Sequence, residues 1–278
     1  MPQFFTTEQL LVNPVGREYR LRIWRPSNPD PTTSINTLLF LDGQWLDSML
    51  DPIIQTVSQT NVQFASLGYC VTERSILAPW RAYDYTPSGP LGHQNDPRNC
   101  AWLCGGADAL LAFLKKEVLP RLAPPSSVSR ATVSLFGHSY AGLFSLYGWL
   151  NAAPLFSHIY SASPSLWWYW PYMLDLLMAN SNIAQNQTRS QKGSPPLHVY
   201  VGTQERWRPH SDTTDSLREP SISTVPFAQT FLTSAQIAGY DKITLQLLEG
   251  ISHGPMLHSA AHHALEHFTK LNTSTNSI

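Results

Sequence analysis

The sequence predicts an α/β fold in which a mostly parallel β-sheet is flanked by helices. Short apolar runs alternate along the chain with longer segments of helical periodicity, and this alternation is typical of successive β-α-β units. The length of 278 residues suits one large domain that spans residues 1–278. Hydrophobic residues make up 42% of the chain, so it can bury a sizeable core.

The predicted strands are of two kinds. Residues 17–24, REYRLRIW, alternate polar and apolar side chains, as a half-buried edge strand does. Residues 36–43 are instead a short, continuous apolar run that suits burial on both faces of a sheet. Further strands are predicted at 62–73, 131–137, 156–164, 197–202 and 243–250.

Helices are predicted between these strands. Residues 104–122 have helical spacing, with Asp108 early and Lys115 and Lys116 late, which agrees with the helix dipole. Further helices are predicted at 139–151, 165–179, 226–238 and 256–271. Loops are predicted at 26–35, 82–99, 181–196 and 206–225.

Charge and composition restrict the classes of partner. The formal net charge is -1 and no block of like charges occurs, so we expect no nucleic-acid partner. No apolar run approaches the ~18 residues of a membrane span, so we expect no membrane association. The N-terminus lacks the basic start and apolar core of a signal peptide, and 3 cysteines form no even disulfide framework. These features predict a reduced, cytoplasmic protein.

One segment at a predicted strand–helix junction indicates a nucleophile. Residues 134–149 read SLFGHSYAGLFSLYGW, and the motif G-x-S-x-G marks a strained turn that exposes a reactive serine. Gly137 and Ser139 fit this motif, but its fifth position is Ala141 and a glycine follows one residue later as Gly142. Taken alone, the serine could equally be a helix N-cap.

Two further residues complete a catalytic pattern. The order serine, carboxylate, histidine, with each residue just after a strand, is that of an α/β-hydrolase. Ser139, Glu205 and His253 follow the strands predicted at 131–137, 197–202 and 243–250. Each has a structural alternative, because His253 could be a surface histidine and Glu205 a solvated side chain. The acid could instead be Asp212 or Asp215.

The chemistry explains this pattern. A neutral serine hydroxyl is a poor nucleophile, so His253 would accept its proton while Glu205 orients the imidazole. The tetrahedral intermediate also needs N–H donors for its oxyanion. We expect these donors at the amide of Tyr140 and, in the sequence LDGQW, at or near Gln44.

Candidate substrate-binding residues are aromatic or basic. The segment SPSLWWYWPYM contains Trp167–Trp170, and consecutive aromatic residues cannot all face one core. Trp168 is therefore a candidate for stacking on an aromatic acyl or catechol group, with core packing as the alternative. Arg81 and Arg206 could attract an anionic ligand, although Arg81 could instead pair with Asp84.

A histidine-rich segment near the C-terminus, HSAAHHALEH, suggests metal binding. Helical spacing would align some of these side chains, but the HExxH zinc pattern is absent and the exposed face of a helix explains them equally well. We therefore expect neither a metal nor a cofactor. The residues concerned are His258, His262, His263, Glu266 and His267.

Several segments resemble a known family. They are, in chain order, YRLRIWRP, LLFLDGQW, RAYDYTP, GGADALLAFL, FGHSYAGLFSLYGWL, SPSLWW and a late SHG. Spread over about residues 17 to 268, they resemble the family named Putative esterase of the α/β-hydrolases, and within it the siderophore esterases. The resemblance implies that Ser139 is the nucleophile and His253 the base. It also implies hydrolysis of the ester links in enterobactin- or salmochelin-type trilactones, and a serine–histidine dyad in some members.

The sequence departs from the family pattern at two places. Ala141 replaces a usual glycine, and Ile251 and Ser252 stand where an acidic residue often precedes the histidine. Both changes leave the nucleophile and base intact but could alter substrate preference. The expected substrate is a small-molecule ester, with or without iron. A broad carboxylesterase or acyltransferase, or a non-catalytic binding protein on a hydrolase scaffold, are the alternatives.

Overall fold

The computed structural model describes residues 3–29, 33–89, 92, 94–123, 132–186, 194–207 and 222–273. Strands and helices are numbered in chain order. Eight strands form the main sheet. They are β1 (Phe4–Val12), β2 (Glu18–Pro26), β3 (Asn36–Leu41), β4 (Val62–Tyr69), β7 (Val133–His138), β8 (Ile159–Ala162), β9 (Leu197–Gly202) and β12 (Ile243–Leu248).

Two short hairpins lie outside the main sheet. They pair β5 (Asn95–Asp96) with β6 (Asn99–Leu103), and β10 (Arg206–Trp207) with β11 (Ile222–Ser223).

Helices connect most of the strands. They are α1 (Gly43–Ile54), α2 (Arg74–Asp84), α3 (Ala107–Phe113), α4 (Leu119–Leu122), α5 (Tyr140–Asn151), α6 (Tyr172–Asn186), α7 (Val225–Ile237) and α8 (His253–Thr273). A π-helical turn, Leu114–Val118, joins α3 to α4.

The strand order of the main sheet is β1-β2-β4-β3-β7-β8-β9-β12. From β4 to β12 every neighbouring pair is parallel, whereas β2 is antiparallel to both β4 and β1. The carboxyl ends of the parallel strands therefore meet at one edge, where α/β proteins bind their ligands.

The sheet has an apolar core on each face. On one face, α1 and α8 pack side chains such as Leu50 and Met256 against Phe40 and Phe136. On the other face, the helices from α2 to α7 pack around residues such as Leu39 and Leu143. Burial on both faces explains why β3, β4 and β7 are apolar runs without alternation.

The α/β class and the predicted strands are confirmed, but several boundaries are wrong. The strand β1 and the helices α1 and α2 were not predicted, and each of these two helices contains a proline (Pro52 and Pro79) that disfavours a helix prediction. The helix predicted at 165–179 begins only at Tyr172, after turns and a cis bond before Pro171. Residues 181–186, predicted as loop, continue α6.

Three histidines pack together between the sheet and α8. The ring centroids of His198 and His267 are 4.4 Å apart, and those of His158 and His198 are 5.8 Å apart. Tyr160 shares a 3.0 Å hydrogen bond with Nδ1 of His267. Burial, together with the neighbouring histidines, lowers the pKa of His158 to about 4 and that of His198 to about 3.

This histidine cluster predicts acid-dependent stability. In the unfolded chain the imidazoles of His158 and His198 bind protons near pH 6.5, whereas in the folded protein their pKa values are lowered to about 4 and about 3. The free energy of unfolding should therefore fall as the pH falls through this window, by at most about 1.4 kcal/mol per pH unit for each histidine. Urea unfolding at a series of pH values measures this slope.

The variant His198→Gln should flatten the slope because glutamine does not titrate. His262→Gln is the matched control, since His262 lies on the exposed face of α8. An unchanged slope in His198→Gln would show that the cluster does not set the acid sensitivity.

Candidate active site

Ser139 occupies a strained turn between β7 and α5. Its backbone angles are φ 62° and ψ -117°, a conformation that non-glycine residues rarely adopt. A Cβ at Gly137 would lie 2.1 Å from the carbonyl oxygen of Ala141, so glycine is required there. A Cβ at Gly142 would lie 2.6 Å from the carbonyl of Ala162, so the late glycine allows α5 to pack against β8.

The three residues expected to form a triad are joined by hydrogen bonds. Oγ of Ser139 lies 3.0 Å from Nε2 of His253. Nδ1 of His253 lies 2.8 Å from Oε2 of Glu205. A carboxylate only accepts hydrogen bonds, so Nδ1 carries the imidazole proton and Nε2 is left to accept the proton of the serine.

The Glu205 carboxylate is buried and receives several hydrogen bonds. Only 1% of the residue is exposed. Oε1 accepts from the hydroxyl of Ser163 and, at 2.8 Å, from the amide of Gly202. Oε2 accepts from His253 at 2.8 Å and more weakly from Thr224 at 3.4 Å. These donors offset the cost of removing the carboxylate from water.

Close packing of two strand ends brings Glu205 to His253. In the parallel pair β9–β12, Gly202 lies beside Leu248. A Cβ at Gly202 would lie 2.2 Å from the carbonyl oxygen of Ile251, which also accepts a 3.1 Å hydrogen bond from the amide of Gln204. The two segments that follow these strands are therefore held together by their backbones.

His138 forms a hydrogen bond with the backbone of His253. Its Nε2 lies 3.0 Å from the carbonyl oxygen of His253, so Nε2 carries a proton and donates it. The two rings lie with centroids 4.8 Å apart. Burial, together with His253, lowers the pKa of His138 well below its ordinary value, so this imidazole stays neutral.

The two expected oxyanion donors lie at neighbouring helix N-termini. Tyr140 is the first residue of α5, and Gln44 is the second residue of α1. Amide groups at these positions have no partner within their own helix. Phe40 of β3 pairs with Phe136 of β7, so the turns that follow the two strands are also neighbours. The positive ends of two helix dipoles therefore lie at neighbouring strand ends, one of them directly after the serine.

An ion pair braces the turn between β3 and α1, just before Gln44. Asp42 is buried and has a φ of 60°, and Arg81 donates to both of its carboxylate oxygens at 2.9 and 2.8 Å. Tyr85 donates a further hydrogen bond to Asp42 at 3.1 Å. The side chain of Gln44 accepts a 3.0 Å hydrogen bond from the amide of Tyr69 and so ties the start of α1 to β4.

The structure changes the interpretation of the predicted substrate-binding residues. Trp168 is 0% exposed and donates to Sγ of Cys104 at 3.4 Å, so its proposed stacking role is wrong and the packing alternative holds. Arg81 pairs with Asp42, and the suggested pair with Asp84 is wrong because Asp84 binds Arg17. Binding of a ligand by Arg81 would require part of this buried pair to open.

Arg206 lies on the surface beside the site. Its guanidinium donates to the carbonyl oxygens of Glu205 at 2.8 Å and Thr203 at 3.3 Å. A ligand-binding role for Arg206 stays a prediction. The alternative acids, Asp212 and Asp215, lie outside the described residues.

The side chains of the histidine-rich helix α8 are not arranged as metal ligands. Within the ranges that the structure describes, no group of three His, Cys, Asp or Glu residues could hold a metal ion. Nε2 of His258 lies 3.0 Å from the carbonyl of Trp45, and His262 lies 3.9 Å from Glu266. His267 instead belongs to the half-buried histidine cluster with His158 and His198.

Three residues in direct contact with the site were not predicted from the sequence. They are His138, Ser163 and Ser165, whose Oγ lies 3.3 Å from Oγ of Ser139. The two serines directly follow β8, whose carboxyl end borders that of β7. The rule that ligands gather beyond strand ends could have found them, had it been applied to every parallel strand.

These features define an α/β-hydrolase fold with a serine-centred site. The family model named Putative esterase matches residues 13–219, and the chain belongs to this family. Among the described residues, no helix is long and apolar enough to cross a membrane.

Two relatives of the chain are named as siderophore esterases. Over 157 residues, the chain is 32% identical to the siderophore enterobactin esterase of Emericella nidulans, covering 52% of this chain and 51% of the relative. Over 154 residues, it is 31% identical to the apo-salmochelin esterase of Escherichia coli O6:H1, covering 54% of this chain and 48% of the relative. The matched region thus spans about half the length of each relative.

Solved structures share the fold over nearly the whole chain. The siderophore hydrolase EstA from Aspergillus nidulans has a TM-score of 0.76 at 23% identity, and the match covers 96% of this chain and 94% of EstA. The enterobactin and salmochelin hydrolase IroE has a TM-score of 0.71 at 22% identity, and the match covers 97% of this chain and 96% of IroE. These similarities confirm the α/β-hydrolase fold.

The Asp42–Arg81 pair makes a testable contribution to stability. Arg81→Met leaves a buried carboxylate without its ion partner, so the free energy of unfolding should fall by about 3 kcal/mol or more. Urea unfolding measures the change. Arg74→Met is the control on the same helix, where Arg74 is exposed, and should change stability by less than about 0.5 kcal/mol.

If Arg81→Met were as stable as the wild type, the pair would not brace the turn between β3 and α1. The charge of Arg81 would then be better explained by ligand binding, as the sequence suggests.

Proposed function

We propose that this protein is a serine esterase that hydrolyses the ester or lactone bonds of a catecholate siderophore trilactone of the enterobactin or salmochelin type. The observation that carries the catalytic part is the continuous hydrogen-bonded chain from Ser139 through His253 to the buried Glu205. Membership of the esterase family supports the reaction class. The substrate rests on the relatives, whose names specify siderophore esters.

In the proposed reaction, Ser139 Oγ attacks the ester carbonyl while Nε2 of His253 takes its proton. Glu205 holds the Nδ1 proton and stabilises the imidazolium that forms. The amides of Tyr140 and Gln44 stabilise the oxyanion. His253 then returns the proton to the leaving alkoxide, and water hydrolyses the acyl-enzyme by the same route in reverse.

One observation favours a broad carboxylesterase as the second candidate. The predicted aromatic wall for a catechol ring is absent at Trp168, which is fully buried. The aromatic side chain that lies exposed beside Gln44 is Trp45, with the guanidinium carbon of Arg81 4.8 Å from its ring centroid. Selectivity for catecholates would therefore depend on residues such as Trp45 and Arg206.

Hydrolysis assays test both parts of the proposal. The purified protein is incubated with iron-free and ferric catecholate trilactones and with short p-nitrophenyl esters, and products are identified by mass spectrometry. We expect trilactone cleavage at a higher kcat/KM than for the simple esters. In Ser139→Ala, turnover of every ester should fall by at least about 10³-fold while the thermal unfolding midpoint is retained.

Two results would contradict the proposal at different levels. Efficient hydrolysis of p-nitrophenyl esters without trilactone cleavage would favour the broad carboxylesterase. Near-normal hydrolysis by Ser139→Ala would refute the serine mechanism itself and favour a different role for the scaffold.

A further inference from the structure

The segment between β8 and α6 brings a second hydroxyl to the proposed nucleophile. Oγ of Ser165 lies 3.3 Å from Oγ of Ser139, and only 1% of Ser165 is exposed. The amide of Ser165 also donates to the carbonyl oxygen of Ser139 at 3.1 Å. The two serines are thus joined through both their backbones and their side chains.

Close packing fixes the position of this segment. A Cβ at Gly142 would lie 3.1 Å from Cα of Pro164, so the segment lies directly on the first turn of α5. The carbonyl of Ser165 accepts a 2.9 Å hydrogen bond from the amide of Trp168, whose side chain is buried. Ser165 therefore has little freedom to move away from Ser139.

The surrounding hydrogen bonds determine which serine donates. Nε2 of His253 is an acceptor because Nδ1 keeps its proton for Glu205. The proton of Ser139 is therefore directed at His253. Its oxygen can then only accept from Ser165, so the hydroxyl of Ser165 is the donor.

We infer that Ser165 is a further catalytic residue, a hydrogen-bond donor that stabilises negative charge on Oγ of Ser139. This inference rests on the proposed serine esterase function. A separation of 3.3 Å is long for a hydrogen bond between two neutral hydroxyls, whose usual range is about 2.5–3.0 Å. Hydrogen bonds to a negatively charged oxygen are shorter and stronger, so the contact from Ser165 is stabilising mainly when negative charge develops on Oγ of Ser139.

Charge appears on Oγ of Ser139 at two moments of the reaction. In acylation, the Oγ–H bond breaks as the proton passes to Nε2 of His253, and a bond forms from Oγ to the ester carbon. In deacylation, that carbon–Oγ bond breaks, its electron pair returns to Oγ, and His253 returns the proton. Ser165 keeps its own proton throughout and donates a hydrogen bond at both moments.

Removal of the Ser165 hydroxyl tests this inference. In Ser165→Ala, we expect kcat to fall by about 10- to 100-fold with little change in KM, because the bond strengthens only in the transition state. The rate at which a fluorophosphonate probe labels Ser139 should fall in parallel, since labelling requires the same attack by Oγ but few substrate contacts.

Two further variants make the test specific. Ser165→Cys keeps the shape of the side chain but is a weak donor, so it should show a similar loss and decides the matter if Ser165→Ala does not fold. Ser145→Ala is the matched control, because Ser145 is equally buried and donates to the carbonyl of Ala141 within α5. In this control, probe labelling of Ser139 and turnover of the ester should both proceed at the wild-type rate.

The outcomes separate this inference from the function on which it rests. A wild-type protein that is neither labelled at Ser139 nor active on esters would overturn the serine esterase itself. Wild-type labelling and turnover rates in both Ser165 variants, with an active wild type, would overturn only the role of Ser165. A rise in KM with unchanged kcat would also overturn it, since that result indicates uniform substrate binding.

Discussion

The buried carboxylate of Glu205 is the constraint on which the site depends. A charge removed from water is strongly unfavourable unless donors surround it. Apart from the weak 3.4 Å bond from Thr224, the donors come from three separate strand ends, through Ser163 after β8, Gly202 of β9 and His253 after β12. Satisfying this one carboxylate therefore holds three strand ends together and sets the orientation of the imidazole.

The opposite side of the site depends on backbone geometry. The strained turn at Ser139 is stabilised by close contacts that only Gly137 and Gly142 permit. The neighbouring turn at Asp42 also has a positive φ, and its conformation is supported by the ion pair to Arg81. Two helix N-termini are thereby fixed beside one serine, at a cost in strain that the surrounding packing offsets.

The sequence predicted the α/β class, the mostly parallel sheet and the three hydrogen-bonded residues of the site, Ser139, His253 and Glu205. It succeeded there because buried strands and strand-end motifs are local patterns. It did not predict the partner of Arg81, the burial of Trp168 or the contacts of Ser165. These depend on which strands become neighbours, and strand order is not encoded in local periodicity. The helices α1 and α2 were missed because their internal prolines oppose the local propensity.

The activity of Glu205→Gln is the decisive measurement of the role of Glu205, because glutamine keeps the shape of the side chain but removes its charge. If Glu205 holds the Nδ1 proton of His253, kcat on an ester substrate should fall by roughly 10³- to 10⁴-fold. Glu249→Gln, at an exposed residue just after β12, should leave kcat unchanged. A loss of less than about tenfold in Glu205→Gln would contradict the account and leave either a serine–histidine dyad or a different acid.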